Sequence, residues 1–165
     1  MNIRDFESIT IIGKGAFGEV RVCKYTPTGE IVAVKKMKKE EMYKKNQILH
    51  VRAERDILSE ARLPWIVELK YSFQDEYYLY LVMEYCPGGD LMSLLINKDI
   101  LSEDEARFYG AELVLCIEAV HKLKCIHRDL KPDNILIEKS GHVKLSDFGL
   151  SKKIVKFKIY FYINY

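Results

Sequence analysis

The pattern of apolar residues changes period once, at Cys86-Pro87-Gly88-Gly89-Asp90, and this change restricts the fold more than any other feature of the chain. Before it, apolar residues recur at roughly every second position. Ile9-Thr10-Ile11-Ile12, the set Val20, Val22 and Tyr25, and Ile31-Val32-Ala33-Val34 predict three strands joined by short turns, the second turn marked by Thr26-Pro27-Thr28-Gly29. A charged stretch without Gly or Pro, from about residue 38 to 61, predicts one helix with Ile48, Val51 and Leu58 at roughly helical spacing. Pro64 breaks it. Ile66-Val67-Glu68-Leu69 and residues 78–83 then predict two more strands around the turn Gln74-Asp75-Glu76. After the change of period, Ser102-Glu103-Asp104-Glu105 forms a capping box that opens a long helix. Its expected apolar face is Ala106, Tyr109, Leu113, Ile117, Val120 and Leu123. Ile135-Leu136-Ile137 and Val143-Lys144-Leu145 predict a small hairpin. The expectation is an α+β fold, an antiparallel sheet with one helix joined by a Pro-Gly-Gly hinge to a mainly helical half.

With 165 residues and 48% of them hydrophobic, the chain has enough apolar mass for one core. A formal charge of +2 gives no reason to expect a nucleic acid or an anionic membrane as partner. No apolar run approaches the ~18 residues of a membrane span, and Met1-Asn2-Ile3-Arg4-Asp5 lacks a signal-peptide core. Cys23, Cys86, Cys116 and Cys125 form no CxxC pair and no zinc-like spacing with His, so they read as thiols in a reducing compartment. The expected location is the cytoplasm, with the nucleus as a second compartment. Residues 152–165 break this pattern. They lack Asp, Glu, Gly, Pro and Ala and, apart from Val155, contain only Lys, Ile, Phe, Tyr and Asn, which codons of A and T alone can encode. The segment reads as translated AT-rich non-coding DNA. Without its four lysines the remaining chain carries 22 basic and 24 acidic residues, so the apparent basicity belongs to the tail.

Gly13-Lys14-Gly15-Ala16-Phe17-Gly18 matches G-x-G-x-x-G, a pattern that ordinary glycine turns also produce. A dinucleotide fold would follow it with a helix. Here Glu19-Val20-Arg21-Val22 follows, a strand, so the glycines belong to a hairpin whose missing Cβ atoms let backbone N–H groups approach phosphate oxygens. Strand alternation puts Ala33 and Lys35 on one face and Lys36 on the other. Lys35 is either a cation reaching into a cleft or, as is usual for lysine, a solvated strand residue. A cleft lysine needs a carboxylate, and Glu54, Glu60, Glu40 and Glu41 all qualify by periodicity. The strongest cluster is Ile126-His127-Arg128-Asp129-Leu130-Lys131-Pro132-Asp133-Asn134 followed by Ser146-Asp147-Phe148-Gly149. Phosphoryl transfer needs an acceptor for a hydroxyl proton, oxygen ligands for a metal, and cations for the spreading charge. Asp129, Asn134 with Asp147, and Lys131 supply these in order, and oxygen ligands of this kind suit Mg²⁺.

From about Phe6 to Lys152 the chain resembles a eukaryotic protein kinase, through the glycine loop, Lys35, Glu54, the His-Arg-Asp loop and the Asp-Phe-Gly motif. The resemblance implies a protein-kinase-like fold divided as residues 1–83 for a complete small lobe, 84–90 for the hinge, 91–151 for part of the large lobe and 152–165 for a tail foreign to the family. It implies ATP and Mg²⁺ as co-substrate and metal. Glu54 is then the carboxylate that pairs with Lys35, Asp129 the base, and Asn134 and Asp147 the magnesium ligands. Gly13, Gly15, Phe17 and Gly18 form the phosphate loop. Ile12, Val20, Ala33 and Leu136 sandwich the base, Met83 stands at the gatekeeper position, and the backbone from Glu84 to Cys86 reads adenine. Asp90 and Asp133 lie near the ribose and the peptide. Lys131 after Asp129 marks the serine/threonine type, so the partner is a protein with a Ser or Thr acceptor. Val51-Arg52-Ala53-Glu54-Arg55-Asp56-Ile57-Leu58, Tyr71-Ser72-Phe73-Gln74-Asp75-Glu76, residues 83–92 and Asp104-Glu105-Ala106-Arg107-Phe108-Tyr109 resemble the NDR/LATS branch of the AGC group. Full-length members of that branch bind Mob-type co-activators through a basic N-terminal extension, which would have to precede Phe6.

Compared with the family, residues 152–165 do not continue into an activation segment or an Ala-Pro-Glu motif. The expectation is a truncated gene model with little activity, whose long helix exposes part of its apolar face. The competing readings are a non-catalytic ATP-binding or decoy kinase fragment, and a chain without stable function.

Overall fold

The computed structural model describes residues 1–15 and 18–154. Strands β1 (Phe6–Gly15), β2 (Gly18–Tyr25), β3 (Glu30–Lys38), β4 (Leu69–Gln74) and β5 (Tyr78–Glu84) form an antiparallel sheet in the order β1-β2-β3-β5-β4. The architecture is the expected α+β one, an antiparallel sheet with a helix joined to a mainly helical half. The predicted helix over 38–61 is two helices, α1 (Lys39–Lys44) and α2 (Ile48–Glu60). Between them Asn46 adopts a left-handed φ of 55°, a conformation Asn tolerates better than most residues, and this ends α1. The expected strand at Ile66-Val67-Glu68-Leu69 is mostly loop. Val67 N donates to Leu145 O at 3.0 Å and Leu145 N donates to Trp65 O at 2.9 Å, so this backbone is held by the other half of the molecule and the sheet strand starts at Leu69.

The helical half contains α3 (Leu91–Lys98), α4 (Glu103–Lys122), the short strands β6 (Cys125–Ile126), β7 (Ile135–Ile137) and β8 (Val143–Leu145), and β9 (Lys152–Lys153). The capping box of α4 forms as expected, with Glu105 N donating to Ser102 Oγ and Ser102 N to Glu105 Oε2. Its buried face keeps Val120, with Tyr109, Leu113 and Leu123 packed against the core as expected, but is centred on residues the sequence pattern did not select. Glu112, Cys116, Ala119 and Val120 are buried, whereas Ala106 is exposed. Glu112 points inward because its carboxylate accepts Val143 N at 2.9 Å and meets His142 Nδ1 at 2.5 Å, tying α4 to the β7–β8 hairpin. Ile96 of α3, Ile100 of the loop after it, and Val114 and Leu115 of α4 stay exposed.

The Pro-Gly-Gly segment is clipped to β7, with Gly88 N donating to Ile137 O at 3.0 Å and Ile137 N to Gly89 O at 2.8 Å. A Cβ on Gly88 would lie 2.7 Å from Ile137 O, so only glycine permits this approach. One apolar cluster crosses between the halves, joining Ile57 and Leu58 of α2, Met83, Cys116 and Val120 of α4, Leu145 and Phe148. A second, aromatic-rich cluster of Phe6, Val34, Tyr80 and Val82 with Phe73 covers the other face of the sheet. All four cysteines are free and buried. Among the described residues no helix is long and apolar enough to cross a membrane. At the start of the tail, β9 pairs with β6 and Ile154 N donates to Lys124 O. The rest of the tail, 155–165, lies outside the described residues, as does Phe17.

Candidate active site

Between the two halves opens a cleft of about 450 Å³. Ile12, Val20, Ala33, Met83 and Leu136 line it with apolar surface, and Val67, which the sequence reading did not select, joins them. Lys35, Glu54, Asp133, Asn134 and Asp147 supply charges and an amide, and Gly13, Glu84, Cys86 and Asp90 of the expected set line it too. Tyr85, Gly89, Ser93 and Ser146 also line it. Tyr85, Gly89 and Ser146 lie inside the hinge and Asp-Phe-Gly segments, whereas no motif singles out Ser93.

Lys35 lies in the middle of β3, facing Leu81 on β5, and its alternation with Lys36 separates the two side chains. Lys35 Nζ sits 2.7 Å from Glu54 Oε1 and 2.9 Å from Oε2, and 3.6 Å from Asp147 Oδ1. Lys36 instead lies 4.1 Å over the Tyr78 ring. Glu54 is 2% exposed, the most deeply buried acid of the chain, whereas its rivals Glu40, Glu41 and Glu60 are not buried. Burial works against the Lys35 ammonium, but the Glu54 and Asp147 carboxylates outweigh it and hold the lysine protonated.

Across the cleft, the loop after β6 is strained into place. Arg128 has φ 67° and Asp147 φ 56°, left-handed values that cost energy in non-glycine residues and recur at functional sites. Arg128 Nε donates to Leu150 O at 2.6 Å, and His127 Nε2 lies 2.9 Å from Ser146 O, so the two motif segments hold each other. Phe148, fully buried, packs edge-on against the His127 ring at 4.7 Å. Asn134 Nδ2 donates to Asp129 O at 2.9 Å and to Asp129 Oδ2 at 3.0 Å, and Lys131 Nζ lies 3.1 Å from Oδ2. Hydrogen bonding by Lys131 lowers the Asp129 pKa; partial desolvation opposes this and Asn134 adds to it. Burial pushes the Cys86 thiol up to about 12, so it stays protonated and unreactive at the cleft wall.

Asp129 and Lys131 stand beside the cleft rather than lining it, and Gly15 and Gly18 do not line it either. Asp90 has a second role, since its carboxylate accepts Ser93 N at 2.6 Å and caps α3. The metal reading fits the donor set. Among the described residues no cluster of three or more His, Cys, Asp or Glu side chains could hold an ion alone. One carboxylate, Asp147, and the amide oxygen of Asn134, whose nitrogen is occupied by Asp129, suit an ion that takes its remaining ligands from phosphates and water.

Residues 6–160 match the family described as the protein kinase domain. The chain belongs to the protein kinase family. Serine/threonine-protein kinase CBK1 of Pneumocystis carinii is 62% identical over 151 residues, which cover 92% of this chain and 30% of that protein. CBK1 of Saccharomyces cerevisiae is 58% identical over 92% of this chain and 20% of its own length. Serine/threonine-protein kinase sax-1 of Caenorhabditis briggsae is 57% identical over 95% of this chain and 33% of its own. The kinase branch is the NDR/LATS type that the longer sequence stretches resemble. The chain spans between a fifth and a third of these relatives' lengths.

Proposed function

We propose that this chain provides the ATP-handling centre of a serine/threonine protein kinase. The observation that carries the reading is the convergence of Lys35 with Glu54 and Asp147, within 3.6 Å, in the cleft that Asn134 also lines, with Asp129 and Lys131 bonded in turn beside Asn134. In this reading the apolar walls at Ile12, Val20, Ala33 and Leu136 hold adenine, and Lys35 orients the phosphates from a position that Glu54 fixes. Asn134 and Asp147 would hold Mg²⁺, whose charge would offset that of the phosphates. Asp129, kept ionised by Lys131, accepts the proton of the incoming Ser or Thr hydroxyl as its oxygen bonds to phosphorus and the bond to the leaving diphosphate breaks. Lys131 places its cation beside the developing charge. The protein substrate, and a Mob-type co-activator for a full-length relative, belong to the same proposal.

Titration of the purified 165-residue chain with a fluorescent ATP analogue tests the cleft. Lys35→Ala is expected to lower affinity by roughly tenfold, the loss of a charge-assisted hydrogen bond, and Lys36→Ala to change it less than twofold. Equal effects of the two substitutions, or no nucleotide binding by the unsubstituted chain, would sink the reading. Phosphorylation of a Ser/Thr peptide that disappears in Asp129→Asn supports catalysis by this chain. Binding without any turnover supports the non-catalytic alternative.

A further inference from the structure

Lys144, on β8, belongs to none of the motifs above, yet it is one of the most deeply placed lysines of the molecule. Its side chain is 12% exposed and reaches two carboxylates, Glu84 Oε1 at 2.7 Å and Glu138 Oε1 at 2.8 Å. Glu84 lies 60 positions earlier, at the end of β5 and the start of the hinge backbone. The same Glu84 oxygen accepts Glu68 N at 2.7 Å, while Glu84 N donates to Glu68 O at 3.0 Å. Next to Lys144, Leu145 holds the loop before β4 through its two backbone bonds to Trp65 and Val67. Thus β8 grips the sheet half twice, once by backbone and once by a half-buried cation that ends on the hinge.

Lys144 is shared between the two carboxylates, and removing its charge leaves Glu84 held only by the Glu68 amide and Glu138 only by the Ser140 hydroxyl, with nothing joining the two. The consequence falls on the peptide units of the hinge. Adenine and guanine present opposite donor and acceptor groups at corresponding edge positions. A backbone held in one place rejects the wrong base by leaving buried polar groups unpaired, whereas a backbone free to shift accommodates both. Resting on the reading of the cleft as a nucleotide site, we propose that Lys144 is a positioning residue for base recognition. It fixes Glu84 against the large-lobe hairpin and thereby sets the preference for adenine over guanine nucleotides.

The test uses the 165-residue chain with two readouts: displacement of a fluorescent nucleotide by ATP and by GTP, and nucleotide-free hydrogen exchange at the Glu68 and Glu84 amides. Lys144→Met keeps the apolar stem and removes the charge. It is expected to lower the ATP-to-GTP affinity ratio by about tenfold, the size of one hydrogen bond, and to speed exchange at both amides. Lys144→Arg should restore both readouts, and Lys139→Met, an exposed lysine of the same hairpin, should change neither. A Lys144→Met chain that loses affinity for both nucleotides equally, or whose two amides exchange as before, overturns the proposal. So does an arginine variant that behaves like the methionine one. If Lys144→Met does not fold, Glu138→Gln, which removes one partner, is held to the same two readouts. A wild-type chain that binds neither nucleotide refutes the cleft reading instead, and overturns the adenine preference with it; the exchange arm still decides whether Lys144 fixes the hinge.

Discussion

Asp129 carries its charge between two donors, Lys131 Nζ at 3.1 Å and Asn134 Nδ2 at 3.0 Å from the same oxygen. Its pKa lies below the ordinary carboxylate value, chiefly through the Lys131 hydrogen bond. A depressed folded-state pKa stabilises the fold above the unfolded value of about 3.9, and that contribution is lost as pH falls through the folded value. The carboxylate therefore stays ionised across the neutral range. Carbon-13 NMR titration of the Asp129 carboxyl should give a midpoint below that value, and Lys131→Met should raise it. A midpoint that Lys131→Met leaves in place would show that the lysine does not control this carboxylate. The pair was legible in the sequence because Asp129 and Lys131 are two positions apart in one loop. Glu54 was not legible by period, since the break at Asn46 divides the rivals between two helices, Glu40 and Glu41 on α1 and Glu54 and Glu60 on α2, whose relative facing no single period gives. Its burial decides the matter, and burial depends on what packs against α2.

The β1–β2 hairpin separates two uses of glycine that look alike in the sequence. A Cβ built on Gly18 would lie 1.8 Å from Lys36 O, because β3 runs alongside at that point, whereas one on Gly15 meets nothing within 4 Å. Gly18 is required by the sheet, whereas a side chain at Gly15 would meet only open space. Gly18→Ala should cost about 3 kcal/mol, as for overpacking, and lower the melting midpoint by roughly 10 °C. Gly15→Ala should melt as the parent does yet bind the ATP analogue more weakly, by crowding its phosphates. A Gly15→Ala chain that melts below Gly18→Ala would contradict this division. At this scale the strands from Phe6 to Lys38 and the capping box of α4 were legible, because period and local hydrogen bonding determine them. The loop at Ile66-Val67-Glu68 and the inward turn of Glu112 were not. Both owe their conformation to backbone groups of β8 and its preceding turn, nearly 80 and 31 positions away along the chain.

Across the whole molecule, the change of period at residues 86–90 marks a change of architecture but does not divide the hydrophobic core. Ile57, Leu58 and Val67 share one apolar cluster with Cys116, Val120, Leu145 and Phe148, so the halves are expected to unfold together even though the cleft opens between them. Phe148 is the pivot of that cluster: it is fully buried, stacks edge-on against His127 and follows directly on Asp147, whose carboxylate lies 3.6 Å from Lys35. The fold therefore couples the packing of its core to the position of a site carboxylate. Trp65, the single tryptophan of the chain, packs partly buried against the same cluster and reports on it by fluorescence. Thermal unfolding followed by Trp65 emission and by far-ultraviolet circular dichroism should give one coincident midpoint. Phe148→Ala should lower it by roughly 10 °C, the effect of a ~3–5 kcal/mol cavity in a chain of this size, and weaken binding of the ATP analogue. Two separate midpoints in the unsubstituted chain would show that the halves fold independently. An unchanged midpoint in Phe148→Ala would show that this ring does not bridge them.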